Sequence, residues 1–398
     1  MENQLFDYGM IGLGTMGNNL VYNMCDNGFS VAGYDKDQGR IDDLIRGKGN
    51  YNLTGIKNIK DFVNALKSPR TIILLVPAGL IVDSVIEELR PLVSKGDLIV
   101  DCGNSHFTDT DRRIASLSKE NINFMGVGIS GGETGARSGP SIMPGGNKED
   151  YEKIAGMLKA VSAKVDGEPC VTYIGKGSAG HYVKMVHNGI EYALMEVISE
   201  SYQLLKELTG ASNKELHDIY TKWNSGRLES YLIEITAAIF NQKDEENSSV
   251  YLIDNILDSA YQKGTGKWMS QNAMDLQIPV PSIHAAVSAR DLSTLKNERE
   301  ASSKVLKGPA ISFKADKSNF IDQLEKAVYF SMITTFAQGM SLLQKASDVF
   351  YYEIKPNDVF EIWRGGCIIR ANILNEFITA YKKNPVLAGL MVADEIAA

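Results

Sequence analysis

"DYGMIGLGTMGNNL", Asp7 to Leu20, joins a short β-rich run to a glycine-patterned turn and then to a helical pattern. Its centre, "GLGTMG" from Gly12 to Gly17, fits G-x-G-x-x-G directly after an expected strand and at the opening of an expected helix. Gly12 permits the tight turn, Gly14 lets backbone approach a pyrophosphate, and Gly17 allows close helix packing. Thr15 and Met16 complete the turn, where a helix N-terminus attracts an anion. Asp35 ends the next β-rich run in "VAGYDKD", about 20 residues on, where a carboxylate holds both ribose hydroxyls of NAD. The competing reading of Asp35, a turn or cap residue, explains its position less well. Asp37 adds a second carboxylate that repels a 2′-phosphate, and Lys36 between them leaves room for NADP.

The same rhythm continues outward. "TIILLVP", "LIVDCGN", "NFMGVGIS" and "CVTYIG" alternate with helical segments such as "VDSVIEELRPLV", the pattern of βαβ units in a doubly wound, mostly parallel sheet. After "GKGSAG" the strand signals stop and long amphipathic patterns take over, broken by "NQKDEENSS" and "EIKPND". The expected architecture is an α/β Rossmann domain over residues 1–178, followed by an all-α domain over 179–398.

At 398 residues, 44% hydrophobic and 23% charged, the chain is an ordinary soluble globular protein with room for two or three cores. A net charge of −8 argues against nucleic acid or an anionic membrane as the main partner, so an anionic substrate must be met by local positive groups. Cys25, Cys102, Cys170 and Cys367 are scattered without C-x-x-C spacing, which points to reduced thiols in a cytoplasmic protein. The N-terminus lacks a signal-peptide pattern, and "TIILLVPAGLIV" is too short and Pro-broken to span a bilayer. The five histidines show no ligand spacing, so no metal is expected, and "TDTDRR" reads as a helix cap, Asp or Thr before "RRIASL".

The helical half carries an internal repeat. "KMVHNGIEYALMEVIS" from Lys184 and "KAVYFSMITTFAQGMS" from Lys326 share their spacing, and each leads to a Trp with small residues after it, "WNSGR" and "WRGGC". Lys184, His187, Asn188 and Glu191 fall within roughly a 100° arc of the first copy. The second copy has Tyr329, Phe330 and Ile333 in place of the last three and is expected to bury its stripe. Polarity in the first copy therefore needs a reason other than a solvated face. Elsewhere, "SGGETGARSGPSIMPGG" reads as a glycine-rich loop whose Ser130, Gly131 and Gly132 offer a hydroxyl and unshielded N–H groups to a carboxylate. "QKGTGKW" and the segment around Arg290 add positive charge. Lys184 is the available cation for carbanion or enolate chemistry.

Taken in order, "GLGTMGNNL", "DCGNSHFTDTDRR", "GISGGETGARSGPSIMPGG", "KMVHNGIEY", "QKGTGKW" and "WRGGCIIR" closely resemble the 6-phosphogluconate dehydrogenase family over essentially the whole chain. That resemblance implies metal-independent oxidation of the C3 hydroxyl of 6-phosphogluconate, a sugar-acid phosphate, followed by loss of CO2 and tautomerisation to ribulose 5-phosphate in a homodimer. By matching motif, Lys184 is the base and then the acid, and Glu191 protonates the enediol. Substrate falls to Asn104, Ser130, Gly131, Gly132, His187, Asn188, Tyr192, Lys263 and Arg290. The dinucleotide falls to Gly12, Gly14, Thr15, Met16, Gly17, Asp35, Lys36, Val76 and Asn104.

Three departures favour NAD over NADP. Gly14 stands where Ala is common, Asp35-Lys36-Asp37 replaces an Asn-Arg-Thr set, and Pro77 replaces a lysine. After "NPVLAGLMVADEIAA" the long form continues into a tail whose Arg and His reach the partner's phosphate site, so an active but weakly binding enzyme is expected. The alternatives are a non-decarboxylating dehydrogenase of the 3-hydroxyisobutyrate type and a noncatalytic NAD-binding dimer.

Overall fold

The computed structural model describes residues 5–308 and 313–397; the outermost residues of the two expected domains, 1–4 and 398, lie outside that range, as do residues 309–312. The chain forms two compact units, Met1–Met185 with Ala346–Cys367, and Val186–Lys345 with Ile368–Ala398.

The first unit runs β1 (Tyr8–Ile11), α1 (Thr15–Asp26), β2 (Val31–Tyr34), α2 (Gln38–Arg46), β3 (Leu53–Gly55), α3 (Ile59–Asn64), β4 (Thr71–Leu74), α4 (Leu80–Leu89), β5 (Leu98–Asp101), α5 (Phe107–Leu117), β6 (Asn123–Ser130), α6 (Gly132–Ser138), β7 (Ser141–Gly145) and α7 (Lys148–Val161). The sheet order is β3-β2-β1-β4-β5-β6-β7, and every pairing is parallel except β6 with β7. Parallel strands are covered on both faces, which is why Val31, Ile72, Ile73, Ile99 and Val100 are all buried. One face packs on α1, α2 and α7 through residues such as Leu20, Leu44 and Leu158. The other packs on α3 and α4 through Phe62, Val82 and Ile86.

The sequence reading departs from this unit in three places. The glycine-rich stretch is not a loop: it makes α6 and then the buried antiparallel strand β7. Pro144 is tolerated because β7 lies last in the sheet order, where a missing N–H costs little. "CVTYIG" forms no ladder strand and contributes two isolated bridges, Val171 to Ile142 and Gly175 to Gly145. The cap of α5 is neither Asp nor Thr but His106, whose Nδ1 accepts from the Thr108 N–H at 3.3 Å.

The second unit takes up the chain inside α8 (Ala179–Thr209) and continues through α9 (Asn213–Asn224), α10 (Tyr231–Asn241), α11 (Thr265–Asp275), α12 (Pro281–Thr294), α13 (Lys296–Val305) and α14 (Lys317–Phe350). Within α14 the chain re-enters the first unit, which includes α15 (Pro356–Trp363), and it returns to the second for α16 (Leu374–Lys383). The repeat has a structural counterpart, since α8 and α14 are the two long helices and each precedes a helix carrying a fully buried Trp, Trp223 or Trp363. They pack closely: a Cβ on Gly339 would lie 2.5 Å from Ile190 Cδ1. The second copy does not bury its stripe as expected. His187 in α8 is 0% exposed, whereas Phe330 in α14 is 59% exposed and only Ile333 of its stripe is buried. Among the described residues no helix is long and apolar enough to cross a membrane.

Candidate active site

Four loops leave the carboxyl edge of the sheet around the point where strand order reverses between β1 and β4, the place where doubly wound folds bind ligands. In the first loop Gly12 has φ +97°, and a Cβ there would lie 2.5 Å from the Leu75 carbonyl oxygen. A Cβ on Gly17 would lie 1.9 Å from Gly12 O, so neither position accepts a side chain. Gly14 meets only Arg40 Nη1, 3.7 Å from its Cβ position, and as N-cap it supplies no side-chain bond to α1. Thr15 and Met16 open the helix behind it. Uncapped N–H groups in a glycine cradle fit a dinucleotide pyrophosphate.

In the second loop the Asp35 carboxylate accepts from the Leu13 N–H at 2.7 Å and the Asp37 N–H at 2.9 Å, fastening the end of β2 to the glycine turn. Lys36 points elsewhere, to Glu88 of α4 at 2.6 Å. The cation beside Asp35 is Arg40, with Nη1 3.4 Å from Asp35 Oδ2 and Nε 3.7 Å from Asp37 Oδ2. Arg40 was missed by the sequence reading; its signal was its place in the first turn of α2, five residues past Asp35.

Val76, in the third loop, fills the space between the other turns. Its Cγ1 lies 2.9 Å from a Cβ built on Gly12, and its carbonyl oxygen lies 3.0 Å from one built on Gly103. The fourth loop is wound on the buried Asp101 carboxylate, which accepts from the Gly103 N–H at 3.0 Å and the Ser105 hydroxyl at 2.6 Å. Asn104 is thereby turned outward to solvent. Buried Arg113 clasps the third and fourth loops together, donating to Asp101, Ser105 Oγ, Asp83 and the Gly79 carbonyl.

Lys184 sits where α8 begins, against β6. A Cβ on Gly128 would lie 2.5 Å from Lys184 Cβ, one on Gly126 2.7 Å from His181 Nδ1, and one on Gly145 2.2 Å from Gly180 N. Glycine at these positions lets a helix lie on strand backbone, and the lysine stem is buried there at 7% exposure. The alternate glycines of "MGVGIS" were the available signal. His181 fixes the first turn. Its Nε2 faces the Asp101 carbonyl at 3.0 Å and its Nδ1 the Thr110 hydroxyl at 2.6 Å, and burial pushes its pKa down. Asp111 accepts from the Ser178 N–H and hydroxyl just before α8, and burial raises its pKa. Ser130 is buried at the end of β6, and Gly131 and Gly132 follow at φ +127° and +62°. A Cβ on Gly131 would lie 2.5 Å from Gly366 O.

In the second unit, α8 carries His187, Asn188, Glu191 and Tyr192. His187 Nδ1 lies 3.1 Å from Asn188 Oδ1. Glu191 Oε2 is 3.8 Å from the same nitrogen. Asn188 Nδ2 donates to Thr265 Oγ1 at 3.0 Å, tying the stripe to the start of α11. Next to it the Tyr192 ring would meet a Cβ on Gly266 at 2.6 Å, and the Arg290 guanidinium stands 3.9 Å over that ring. Arg290 also donates to the Tyr261 carbonyl at 3.1 Å. Lys263 is exposed beside Gly264, the N-cap of α11. Among the described residues no group of three or more His, Cys, Asp or Glu could hold a metal ion.

Residues 7–175 match the family model described as the NAD binding domain of 6-phosphogluconate dehydrogenase, and residues 180–398 match its C-terminal domain. The chain belongs to the 6-phosphogluconate dehydrogenase family. A decarboxylating 6-phosphogluconate dehydrogenase from Lactococcus lactis subsp. lactis is 47% identical over 390 residues, covering 98% of this chain and 82% of its own. An NADP(+)-dependent, decarboxylating member from Bacillus subtilis is also 47% identical, covering 96% of this chain and 82% of its own. The Plasmodium falciparum 6-phosphogluconate dehydrogenase, solved in its apo form and with NADP+ and 6-phosphogluconate, superposes with a TM-score of 0.94 at 41% identity, over 98% of this chain and 84% of that one. A Mycobacterium tuberculosis 3-hydroxyisobutyrate dehydrogenase shares the fold, with a TM-score of 0.55 at 16% identity over 80% of this chain and 99% of that one.

Proposed function

We propose that this protein oxidises 6-phosphogluconate at C3, releases CO2 and forms ribulose 5-phosphate. Membership of the family supports the reaction, and one observation carries its assignment to residues: a buried lysine on a glycine seat, followed on the same helix by His187, Asn188 and Glu191. When bound, the nicotinamide accepts hydride from C3. Lys184 takes the hydroxyl proton as the hydride leaves, then as an ammonium supports negative charge on the C3 oxygen while the C1–C2 bond breaks. Glu191 delivers a proton to C1 of the resulting enediol. His187 and Asn188 orient the sugar, Ser130, Gly131 and Gly132 hold the carboxylate, Asn104 lies by the nicotinamide, and Tyr192, Lys263 and Arg290 take the phosphate.

The division of labour we propose follows the sequence, residues 1–178 for the dinucleotide and 179–398 for substrate and dimerisation. NAD is the proposed oxidant: Asp35, held at the end of β2 by two backbone N–H groups, supports that reading because a carboxylate at this place in the fold would bind the ribose hydroxyls and repel a 2′-phosphate. Phe330, exposed on α14, supports a homodimer. The four cysteines, all thiols, support a cytoplasmic location.

The test is product analysis with 6-phosphogluconate and each nicotinamide dinucleotide. Reduced cofactor, CO2 and ribulose 5-phosphate are expected in equal amounts, with kcat/KM favouring NAD. Lys184→Met should lose turnover by about 10² to 10⁴ while still binding NAD. A keto acid accumulating without CO2, or full turnover by that variant, would overturn the assignment.

A further inference from the structure

The segment leaving β2 alternates its side chains. Asp35 turns to the glycine loop, and Lys36 turns the other way to α4. There Lys36 Nζ lies 2.6 Å from Glu88 Oε1, and the Ser84 hydroxyl donates to the same oxygen at 3.3 Å, which fixes the carboxylate one helical turn away. The second cation of this end, Arg40, is engaged by Asp35 and Asp37. Both positive groups near the ribose end of the cradle are therefore already matched to carboxylates, but in different ways. Arg40 is engaged by the ribose-binding carboxylate and its neighbour, so freeing it disturbs the cradle itself. Lys36 is engaged by a residue 52 positions away that makes no bond to the glycine loop.

We infer that Glu88 is a specificity-determining residue, which withholds Lys36 from the 2′ position of the adenine ribose and so keeps a latent NADP-binding cation out of use. The inference rests on the NAD reading above. Its physics is simple. A 2′-phosphate brings close to two negative charges to a place where Asp35 and Asp37 already repel it, and the one compensating ammonium that does not hold the cradle is turned aside. The side chains of the Lys36–Glu88 pair are 62% and 35% exposed, so water screens it and the lysine is redirected at small cost once the carboxylate is gone.

The experiment measures kcat/KM for NAD and NADP with 6-phosphogluconate in the wild type, Glu88→Gln, Lys36→Met and the double variant. Glu88→Gln should raise kcat/KM for NADP roughly tenfold and leave NAD within about twofold, and the gain should vanish in the double variant. An unchanged NADP-to-NAD ratio in Glu88→Gln overturns the inference. A gain that persists in the double variant also overturns it, because loss of a negative charge alone would then be the cause. A wild type that prefers NADP is a separate failure: it removes the NAD reading, and it is seen without any variant.

Discussion

Gly128 is the residue on which the position of Lys184 depends. Its neighbour is the root of the lysine side chain, not a flexible tip, so an added methyl group at 2.5 Å pushes either the strand or the first turns of α8. Gly128→Ala should fold, with a stability loss of about 1 to 3 kcal/mol, and bind NAD normally. Its kcat should fall by about 10²-fold, the usual consequence of displacing a reacting group by roughly 1 Å. Thermal melts, NAD titration and steady-state rates check the three parts, and an unaltered kcat would show that the seat does not position the lysine. Some of this was legible in the sequence and some was not. The motif glycines announce themselves because only glycine fits their turns. Glu88 and Arg113 do not, because their importance comes from what α4 and α5 bring near them, and no local pattern encodes a partner 52 residues away.

The start of α9 joins that of α14 through one ion pair. Ser212 and Glu215 form a capping box, and Lys317 in the first turn of α14 bonds Glu215 at 2.6 Å. The Lys317 bond first, then the Ser212 backbone and hydroxyl, holds the Glu215 pKa at about 2 against an ordinary value of 4.5. Between these values the unfolded chain binds the proton that the folded chain refuses. Stability from this group is therefore present above about 4.5 and lost as pH falls toward about 2. Glu215→Gln should flatten the melting temperature against pH across that window and leave the profile above it unchanged in slope. A variant that loses stability on acidification as steeply as the wild type would place the effect elsewhere.

Elements differ in how openly the sequence declares them. The parallel strands β1, β2, β4, β5 and β6 were readable as apolar runs and α8 as a helix by its period, whereas β3, the three residues "LTG", was too short to show one. β7 was hidden because "SIMPG" has the composition of a loop and is a strand only by pairing with β6. "CVTYIG" misled in the opposite way, being β-rich without a partner ladder. Phe330 misled because helical periodicity says which residues share a face, not what covers it.

At the scale of the whole molecule the first unit is not a continuous stretch of chain. Residues 346–367 complete it: the Gly366 carbonyl accepts from the Ser141 N–H at 3.0 Å, the Ile362 carbonyl from the Ser141 hydroxyl at 2.7 Å, and the Tyr352 carbonyl from the Lys176 N–H at 2.9 Å. This arrangement sets a schedule for synthesis. A ribosome making the chain N-terminus first must pass residue 367 before Ser141 and Lys176 receive those partners. Val171 and Gly175 already bridge Ile142 and Gly145, so it is the Ser141 end of the β7 edge that the nascent dinucleotide fold leaves unpartnered through more than half of translation. Chains stalled with about 345 residues outside the ribosome should be cut by a probing protease in the first unit, and chains stalled with about 385 outside should resist it. Equal resistance at both lengths would mean that the sheet closes without its late segment.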